Sequence, residues 1–404
     1  MDGGHVDPSG TPRTPGTPGL DDHLVATFEL EPPGSARALA VEESTGTERI
    51  SAAMAEAVGG VVVSEGAGRA VIAWPWRNWG ANLPQLMASV LVGEGVETAR
   101  FTRCRLVALE WPAALVAAVG GGPRFGVDGV RARLGASERP LLGGIVKPSL
   151  GLAPAEVAAT AGALARGGCD LVKDDELLAD PDWCPLSERV AAVAGALAAV
   201  DRPCLYAANV SGPLDTLLDR ASAAVAAGAG AVMINVFASG IDSVRVLAAA
   251  GLGVPVFAHR VGAGPLVRNP EVGVAGAVLC ELTRIAGADF VQIGGFGGKL
   301  FDTWDEVAAN LAACRRALGG APAPVPVNGG GVWAGSVPEV VGAAGGDVML
   351  LVGAGAYEHP GGVEAGARSV TQAIDAVGRG VALKEAAASA PELAAALEHF
   401  CGSP

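Results

Sequence analysis

Lysine is scarce in this chain of 404 residues, because only four of its 28 basic side chains are lysines and the others are arginines. The four are Lys147, Lys173, Lys299 and Lys384. Arginine keeps its proton in proteins, whereas lysine can lose it and act as a base or a nucleophile. Scarcity alone is equally compatible with coding bias, so the positions of the lysines must decide whether they mark a functional site.

Other absences narrow the class of protein. Acidic residues number 42, and the resulting net charge of −14 disfavours binding to nucleic acids or anionic membranes. No uninterrupted apolar run has the length of a transmembrane helix, and the N-terminus lacks the apolar segment of a secretory signal. The seven cysteines are odd in number and contain no CxxC pair. We therefore expect a cytoplasmic protein with reduced thiols.

The N-terminal part of the chain divides into a tail and a predicted domain. Residues 1–20 are rich in glycine, proline and threonine, which predicts disorder. Residues 21–135 mix strand-like and helix-like segments, which predicts an α+β domain. Strands are predicted at 24–32, 58–66, 69–76 and 103–112, and helices at 34–44 and 82–93.

From residue 141 onward, short apolar runs alternate with alanine-rich helical stretches that end in glycine. Near-continuous apolar strands are typical of a parallel sheet buried on both faces. Eight β-then-α units favour a TIM barrel over a doubly wound open sheet, and we predict it over residues 136–404 with a C-terminal helical extension. The predicted strands are 141–147, 169–175, 204–210, 231–237, 254–260, 289–295, 324–330 and 347–353.

Polar residues fall at the predicted carboxyl ends of these strands, where TIM barrels carry their chemistry. Lys147 ends the first strand, and the run Lys173–Glu176 ends the second. His259 and Arg260 end the fifth strand, and Lys299 lies in a glycine-rich loop after the sixth. Three of the four lysines thus occupy the predicted catalytic rim, which random placement would seldom produce.

The segment Lys173–Glu176 has the composition of a metal site. Alternation along a strand points Lys173 and Asp175 in the same direction, and Glu176 can reach the same centre. Carboxylate oxygens suit Mg²⁺. A desolvated lysine has a lowered pKa, so its amine can add CO₂ and become a carbamate, a further oxygen ligand. The alternative is an ion pair between lysine and carboxylate that closes the barrel mouth.

The remaining strand ends suggest a base and a phosphate site. Lys147 suits a general base or a Schiff-base nucleophile, with a structural salt bridge as the alternative. The sequences NGGG at 328–331 and GAGA at 353–356 suit phosphate binding by backbone N–H groups. His259 and Arg260 suit proton handling or phosphate binding, and the alternative is a packed histidine beside a surface arginine.

At these positions the sequence resembles the RuBisCO large-chain family. GGIVKPSLGL resembles the first-strand motif G-x-x-x-K-P-K-x-G-L, and GGCDLVKDDE resembles G-G-x-D-x-x-K-D-D-E. DFVQIGGFGGKL resembles the strand-six and mobile-loop segment, and AHRVGAG the segment of strand five. PVNGGGVW and LLVGAGAYEHPGG resemble the two phosphate-binding strand ends, and AVEESTGT resembles A-x-E-S-S-T-G-T. The resemblance covers nearly the whole chain, from about residue 24 to 375.

The resemblance implies a fold, an assembly and a metal. It implies an N-terminal α+β domain of the ferredoxin-like type beside the barrel, in a homodimer where Glu42 and Thr47 reach the partner's active site. It also implies one Mg²⁺ per active site, with Lys173 as the carbamylated lysine and Asp175 and Glu176 as ligands.

The resemblance further implies roles around a phosphorylated sugar. Lys147 would be the base of an enolisation, and Lys299 would be the lysine of a closing loop. His259 and Arg260 would lie near the distal end of the substrate. The residues facing the proximal phosphate would be Gly330, Gly331, Gly353 and Ala354.

Several positions depart from the family pattern. Ser149 replaces the second lysine of the K-P-K motif, Gln292 the strand-six histidine and Gly329 the serine of the S-G-G motif. Glu48 stands where the family has tryptophan, and Ser89 aligns with an asparagine that helps to bind CO₂ and metal. These changes remove groups used for carboxylation and weaken the second phosphate site. We therefore expect a RuBisCO-like protein (type IV) that does not fix carbon.

The retained groups predict a Mg²⁺-dependent isomerase or tautomerase that enolises a singly phosphorylated ketose, for example one that resembles methylthioribulose phosphate. A first alternative is a decarboxylase, or a transcarboxylase or hydrolase, of a β-keto acid sugar phosphate, in which Lys299 pairs with the carboxylate. A second is a Schiff-base aldolase using Lys147 or Lys173. A third is a non-catalytic regulatory or binding protein. Lys384 receives no role in any of them.

Overall fold

The computed structural model describes residues 21–136 and 138–401, so the tail predicted at 1–20 lies outside the described residues. The chain divides into two compact units. The first extends to Ala118 and includes Pro270–Gly273, and the second contains Val119–Asn269 and the chain from Val274 onward. Among the described residues, no helix combines the length and the apolarity that a membrane crossing requires.

Strands and helices are numbered along the chain. The strands are β1 His23–Glu31, β2 Val61–Gly66, β3 Arg69–Pro75, β4 Arg103–Glu110, β5 Leu141–Ile145, β6 Leu171–Lys173, β7 Leu205–Asn209, β8 Ala231–Asn235, β9 Val256–His259, β10 Val272–Val274, β11 Phe290–Gly294, β12 Val325–Gly329 and β13 Met349–Val352. The helices are α1 Ala36–Glu42, α2 Ala52–Val58, α3 Leu83–Leu86, α4 Glu94–Glu97, α5 Ala113–Val119, α6 Gly126–Leu134, α7 Pro154–Arg166, α8 Leu186–Ala198, α9 Leu217–Ala226, α10 Val236–Ser239, α11 Asp242–Ala249, α12 Gly264–Val267, α13 Gly276–Ile285, α14 Trp304–Arg315, α15 Val337–Ala344, α16 Ala354–Tyr357, α17 Gly362–Gly378, α18 Leu383–Ala386 and α19 Pro391–Cys401. Short 3₁₀ segments lie at Trp76–Asn78, Leu214–Thr216, Ala334–Ser336 and Ala387–Ser389, and a π-helical segment lies at Met87–Leu91.

The first unit is built on a five-stranded sheet with the order β10-β4-β1-β3-β2. The central strand β1 pairs antiparallel with both β3 and β4. Its side chains alternate between buried and half-buried, as expected for a strand with one face on a core. The predicted α+β character is confirmed. Strand β10 was not predicted, because its three residues lie within the barrel sequence and are too few to produce a recognisable pattern.

The second unit contains a closed barrel of eight parallel strands, in which β13 pairs with β5. Each of the eight apolar runs supplies one barrel strand, so the predicted TIM barrel is confirmed. Two glycines in β5 permit close packing there. A Cβ at Gly143 would lie 2.8 Å from Met349 Sδ, and one at Gly144 would lie 2.9 Å from Leu164 Cδ1. The strand beneath Lys147 is therefore confined on both faces.

Helix α6 belongs to the barrel unit, whereas the sequence placed residues up to 135 in the N-terminal domain. Its Val130 and Leu134 join the buried cluster inside the barrel. Asp289, at the other end of the barrel from the predicted rim, accepts hydrogen bonds from the N–H groups of Phe125 and Gly126 at 2.7 and 3.0 Å. These contacts connect positions far apart in sequence, so the local pattern did not reveal them.

The first unit buries a carboxyl group at the end of α1. Glu43 is 7% exposed, and its Oε1 accepts a hydrogen bond from the N–H of Gly95 at 2.7 Å. Burial raises the pKa of Glu43 from an ordinary value of 4.5 to about 7; the Gly95 hydrogen bond opposes this shift, and the charge of Glu94 adds to it. Folding therefore favours the protonated form of this side chain.

Replacing Glu43 by glutamine should flatten the pH dependence of stability. Because the pKa of Glu43 is raised in the folded state, protonation of this side chain stabilises the fold. Its contribution to the unfolding free energy is complete below the unfolded pKa of 4.5 and is lost as the pH rises through about 7. Between about pH 5 and pH 8, wild-type unfolding free energy should fall by about 2 kcal/mol more than that of Glu43→Gln. Urea unfolding followed by circular dichroism measures this difference. The exposed Glu56→Gln variant should keep the wild-type slope, and a wild-type slope in Glu43→Gln would contradict the prediction.

Candidate active site

Lys147 lies just beyond β5, with its amino group against the carboxyl end of β6. Its Nζ lies 2.5 Å from Asp175 Oδ2 and donates to Ser149 Oγ at 2.8 Å. The main-chain N–H of Lys147 donates to the hydroxyl of Tyr357 at 2.7 Å, and that hydroxyl donates to the carbonyl of Ile145 at 2.9 Å. Tyr357, on α16, therefore holds the backbone that carries this lysine.

Lys173 is the last residue of β6 and is fully buried. Its Nζ donates to the carbonyl of Asp174 at 2.8 Å and lies 3.6 Å from Glu176 Oε2. Burial lowers the pKa of Lys173, although the nearby carboxylates, that of Glu176 first, oppose the shift. This environment favours the neutral amine more than water does, and the neutral amine is the form that adds CO₂.

The two neighbouring aspartates have different partners. Burial alone would raise the pKa of Asp175, but the hydrogen bond from Lys147 and the N–H of Leu177 at 3.1 Å lower it overall. Asp174 instead accepts hydrogen bonds from Arg189 Nη2 at 3.1 Å and from the Tyr206 hydroxyl. Asp175 thus remains an anion facing the lysines, while Asp174 anchors the segment to the barrel wall.

His259 ends β9 and lies beside Glu176. Its Nδ1 accepts a hydrogen bond from the N–H of Val261 at 3.2 Å, which leaves the ring proton on Nε2, 3.4 Å from Glu176 Oε2. Burial, followed by the positive charges of Lys173 and Arg260, lowers the pKa of His259 well below 6.5. The ring is therefore neutral near pH 7 and can donate to the glutamate.

Two asparagines that the sequence reasoning missed complete this centre. Asn209 Nδ2 donates to the carbonyls of Asp175 and Glu176 at 3.3 and 3.2 Å, and Asn235 Nδ2 donates to the carbonyl of Glu176 at 2.9 Å. Asn235 Oδ1 is buried and has no hydrogen-bond partner among the described residues. A usable signal was present, since both asparagines end apolar barrel strands, as His259 does.

Arg260 directly follows β9, and Lys299 lies in the loop that follows β11. Arg260 Nη2 contacts Asp302 Oδ1 and Oδ2 at 2.9 and 3.1 Å, and its main-chain N–H donates to Gln292 Oε1 at 3.0 Å. Lys299 is exposed and forms no ion pair with any residue that the structure describes. Arg260 is thus already paired, whereas Lys299 is available to a ligand.

The glycine-rich ends of β12 and β13 present free backbone donors. Within the described part of the chain, the N–H groups of Gly330, Gly331 and Gly353 donate to no protein acceptor, and neither does that of Ala354 at the start of α16. Gly330 and Gly331 have φ values of +98° and +99°, which favour glycine. A Cβ at Gly331 would lie 2.8 Å from the Cα of Gly298, so the Lys299 loop rests directly on this turn. Such unpaired N–H groups suit an anion.

Glu42 and Thr47 lie in the first unit. Glu42 Oε1 lies 3.4 Å from Arg100 Nη1, and the exposed Thr47 accepts a hydrogen bond at Oγ1 from the N–H of Arg49 at 3.2 Å. Their predicted role in a partner's active site stays a prediction. Ser89 is buried and donates to the carbonyl of Gln85 at 3.0 Å, so its hydroxyl is used within its own helical segment.

Comparison with known proteins places this arrangement in a family. Residues 126–400 match the family described as "Ribulose bisphosphate carboxylase large chain, catalytic domain". The chain belongs to the RuBisCO large-chain family. It is similar to ribulose bisphosphate carboxylase-like protein 2 of Rhodopseudomonas palustris, with 40% identity over 342 residues that cover 83% of this chain and 78% of that protein. It is a RuBisCO-like protein of type IV, as its sequence predicted.

Two further relatives show the range of this family. The 3-oxo-isoapionate-4-phosphate decarboxylase of Rhizobium etli is 34% identical over 337 residues, covering 81% of this chain and 80% of that protein. The octameric RuBisCO of Pyrococcus horikoshii superposes with a TM-score of 0.89 at 29% identity, covering 97% of this chain and 96% of that one. The relatives thus include an enzyme named as a decarboxylase, which supports a RuBisCO-like enzyme that is not a carboxylase.

Breaking the ion pair behind the site should strongly destabilise the barrel. The side chains of Arg189 and Asp174 are both 0% exposed. Arg189→Met would leave a buried carboxylate without its counter-ion, which we expect to cost about 3–5 kcal/mol of unfolding free energy. In contrast, Arg166→Met breaks an exposed pair with Glu364 and should cost less than about 1 kcal/mol. Urea unfolding compares the two variants, and equal losses would contradict the structural role of the buried pair.

Proposed function

We propose that this RuBisCO-like protein is a Mg²⁺-dependent enzyme that enolises a singly phosphorylated ketose, with an isomerase or tautomerase outcome and without carbon fixation. The contact between Lys147 Nζ and Asp175 Oδ2 is the observation that carries this proposal. It brings the proposed base and a proposed metal ligand to one centre. An example of the expected substrate class is a sugar that resembles methylthioribulose phosphate.

The donor set fits a magnesium ion on one condition. Asp175 and Glu176 supply carboxylate oxygens, but the described residues contain no group of three His, Cys, Asp or Glu side chains suited to a metal. A third anionic ligand therefore depends on Lys173 as a CO₂-derived carbamate. The buried, unpaired Asn235 Oδ1 supports the presence of a further group at this centre. When bound, Mg²⁺ would stabilise the negative charge that enolisation places on the ketose oxygens.

The lysine next to this centre supplies the proton chemistry. In the proposed reaction Lys147 Nζ takes a proton from the carbon beside the ketose carbonyl, and the proton returns at a different carbon. Its side chain is 38% exposed, so a substrate can reach it, and the Ser149 hydroxyl orients the amine. The neutral ring of His259 lies beside Glu176, with Nε2 3.4 Å from Oε2 of that carboxylate.

Other groups would bind and enclose the substrate. The phosphate would be held by the unpaired N–H groups of Gly330, Gly331, Gly353 and Ala354. Lys299 would close the site through the loop that rests on this turn. In the proposed homodimer, Glu42 and Thr47 would complete the partner's site.

Decarboxylation of a β-keto acid sugar phosphate is the second candidate. The Rhizobium etli decarboxylase, 34% identical over 337 residues, favours it. So does Lys299, which forms no ion pair with any described residue and suits a substrate carboxylate. Loss of CO₂ from such a substrate leaves the same enolate, without proton removal by a base. The two candidates therefore differ in the first bond that breaks.

The base is tested by hydrogen exchange. Lys147→Met should lower the rate of solvent-deuterium exchange into a panel of ketose phosphates by about a thousandfold, because general base catalysis contributes on that scale. NMR of the sugar C–H signals measures the rate. Lys384→Met removes an exposed lysine and should exchange at the wild-type rate. Undiminished exchange in Lys147→Met would contradict the role of this base. CO₂ release from a β-keto acid sugar phosphate added to the panel, without net isomerisation of any ketose phosphate, would favour the decarboxylase.

The carbamate is tested by metal-dependent stability. In the presence of bicarbonate, Mg²⁺ at about one hundred times the dissociation constant of Mg²⁺ should raise the unfolding free energy of the wild type by about 2.7 kcal/mol. The melting temperature should then rise by a few degrees, and EDTA should reverse the rise. Lys173→Met keeps the buried volume but cannot form a carbamate, so its melting temperature should not respond. Lys384→Met should respond as the wild type does. An undiminished response in Lys173→Met would refute the carbamate.

A further inference from the structure

The arginine that follows β9 forms an ion pair with an aspartate of the same chain. Arg260 Nη2 lies 2.9 Å from Asp302 Oδ1, and the two side chains are 20% and 5% exposed. Asp302 lies three residues beyond Lys299, on the same loop. A guanidinium group in contact with a carboxylate at this distance has used much of its capacity to bind another anion.

The surrounding chain is shaped to hold this pair. Gly294 has a φ of +99°, and a Cβ there would lie 2.9 Å from both Arg260 Nη1 and Asp302 Oδ2. Phe301 has the guanidinium carbons of Arg260 and Arg268 at 5.5 and 5.1 Å from its ring centroid. The close fit at Gly294 and the contacts of Phe301 therefore hold Asp302 against Arg260, so the pair is part of the folded loop rather than a chance surface contact.

Within residues 21–136 and 138–401, no second acid forms an ion pair with Arg260. The cavity that Arg260 lines contains no other charged side chain and is formed largely by apolar residues, among them Phe237, Val267 and Leu279. Asp302 is the acidic partner of Arg260 among the described residues. Removing the charge of Asp302 would leave a partly buried cation without a counter-ion, and such a cation would attract an external anion.

We propose that Asp302 acts as an internal counter-anion, which occupies Arg260 and selects for substrates without a charged group at the distal end. This inference rests on the proposed function. Arg260 directly follows His259, whose Nε2 lies 3.4 Å from the proposed metal ligand Glu176, and the family resemblance implies that Arg260 lies near the distal end of the substrate. A distal phosphate would have to displace the Asp302 carboxylate or lie beside it, and like charges placed together are strongly disfavoured. A singly phosphorylated ketose meets no such obstacle.

Binding of two sugar phosphates tests the inference. Isothermal titration with Mg²⁺ and bicarbonate present should show that Asp302→Asn binds ribulose bisphosphate at least about tenfold more tightly than the wild type, with little change for a ribulose monophosphate. Asp305→Asn removes the same charge from the exposed first turn of α14 and should leave both affinities unchanged. Adding Arg260→Gln to Asp302→Asn should abolish the gain.

The outcomes separate this inference from the proposed function. The inference would be overturned if a folded Asp302→Asn variant bound the bisphosphate and the monophosphate with the same ratio of affinities as the wild type. If Asp302→Asn does not fold, Asp302→Ser takes its place in this comparison. A gain that persists without Arg260 would overturn it too. Failure of every variant to bind the monophosphate would instead count against the proposed function, and the bisphosphate affinities would then decide the inference alone.

Discussion

The burial of charge at the carboxyl end of β6 is the constraint on which the site depends. Lys173 and Asp174 are completely enclosed, and an isolated charge in such a place is very costly. Arg189 pairs with Asp174, whose pKa burial raises, whereas Lys147 contacts Asp175 from the neighbouring strand end. The barrel thus concentrates unlike charges where strands converge, and burial there lowers the pKa of Lys173.

The barrel was predictable because its strands are local patterns. Each run is nearly all apolar and is followed by helix formers and a glycine, so a window of the chain suffices to identify it. The rim position of Lys147 and Lys173 then follows from the direction of the strands. In the same way, the segment 328–331 was recognisable because its glycines end a strand.

What the sequence did not reveal depends on contacts between distant residues. Strand β10 exists only because a three-residue segment pairs in the sheet of the first unit. Helix α6 joins the barrel through Val130 and Leu134, which form no distinctive pattern in the chain. The resemblance places Arg260 near the substrate's distal end, which stays a prediction, but it does not reveal the ion pair of Arg260 with Asp302, 42 positions along the chain. No local pattern distinguishes an arginine that awaits a ligand from one that is already paired.

Arginine and lysine have therefore been divided by chemistry in this chain. The buried partner of Asp174 and the partner of Asp302 are arginines, for which permanent charge is an advantage. Lys173 is buried where its pKa falls, a shift that an arginine would not convert into a usable neutral amine. Of the four lysines, Lys147 follows β5 and Lys173 ends β6, whereas Lys299 lies in the loop after β11 and Lys384 lies in α18. The lysines proposed as the base and as the carbamate are thus the two at strand ends, where the proposed reaction requires a nitrogen that can lose its proton.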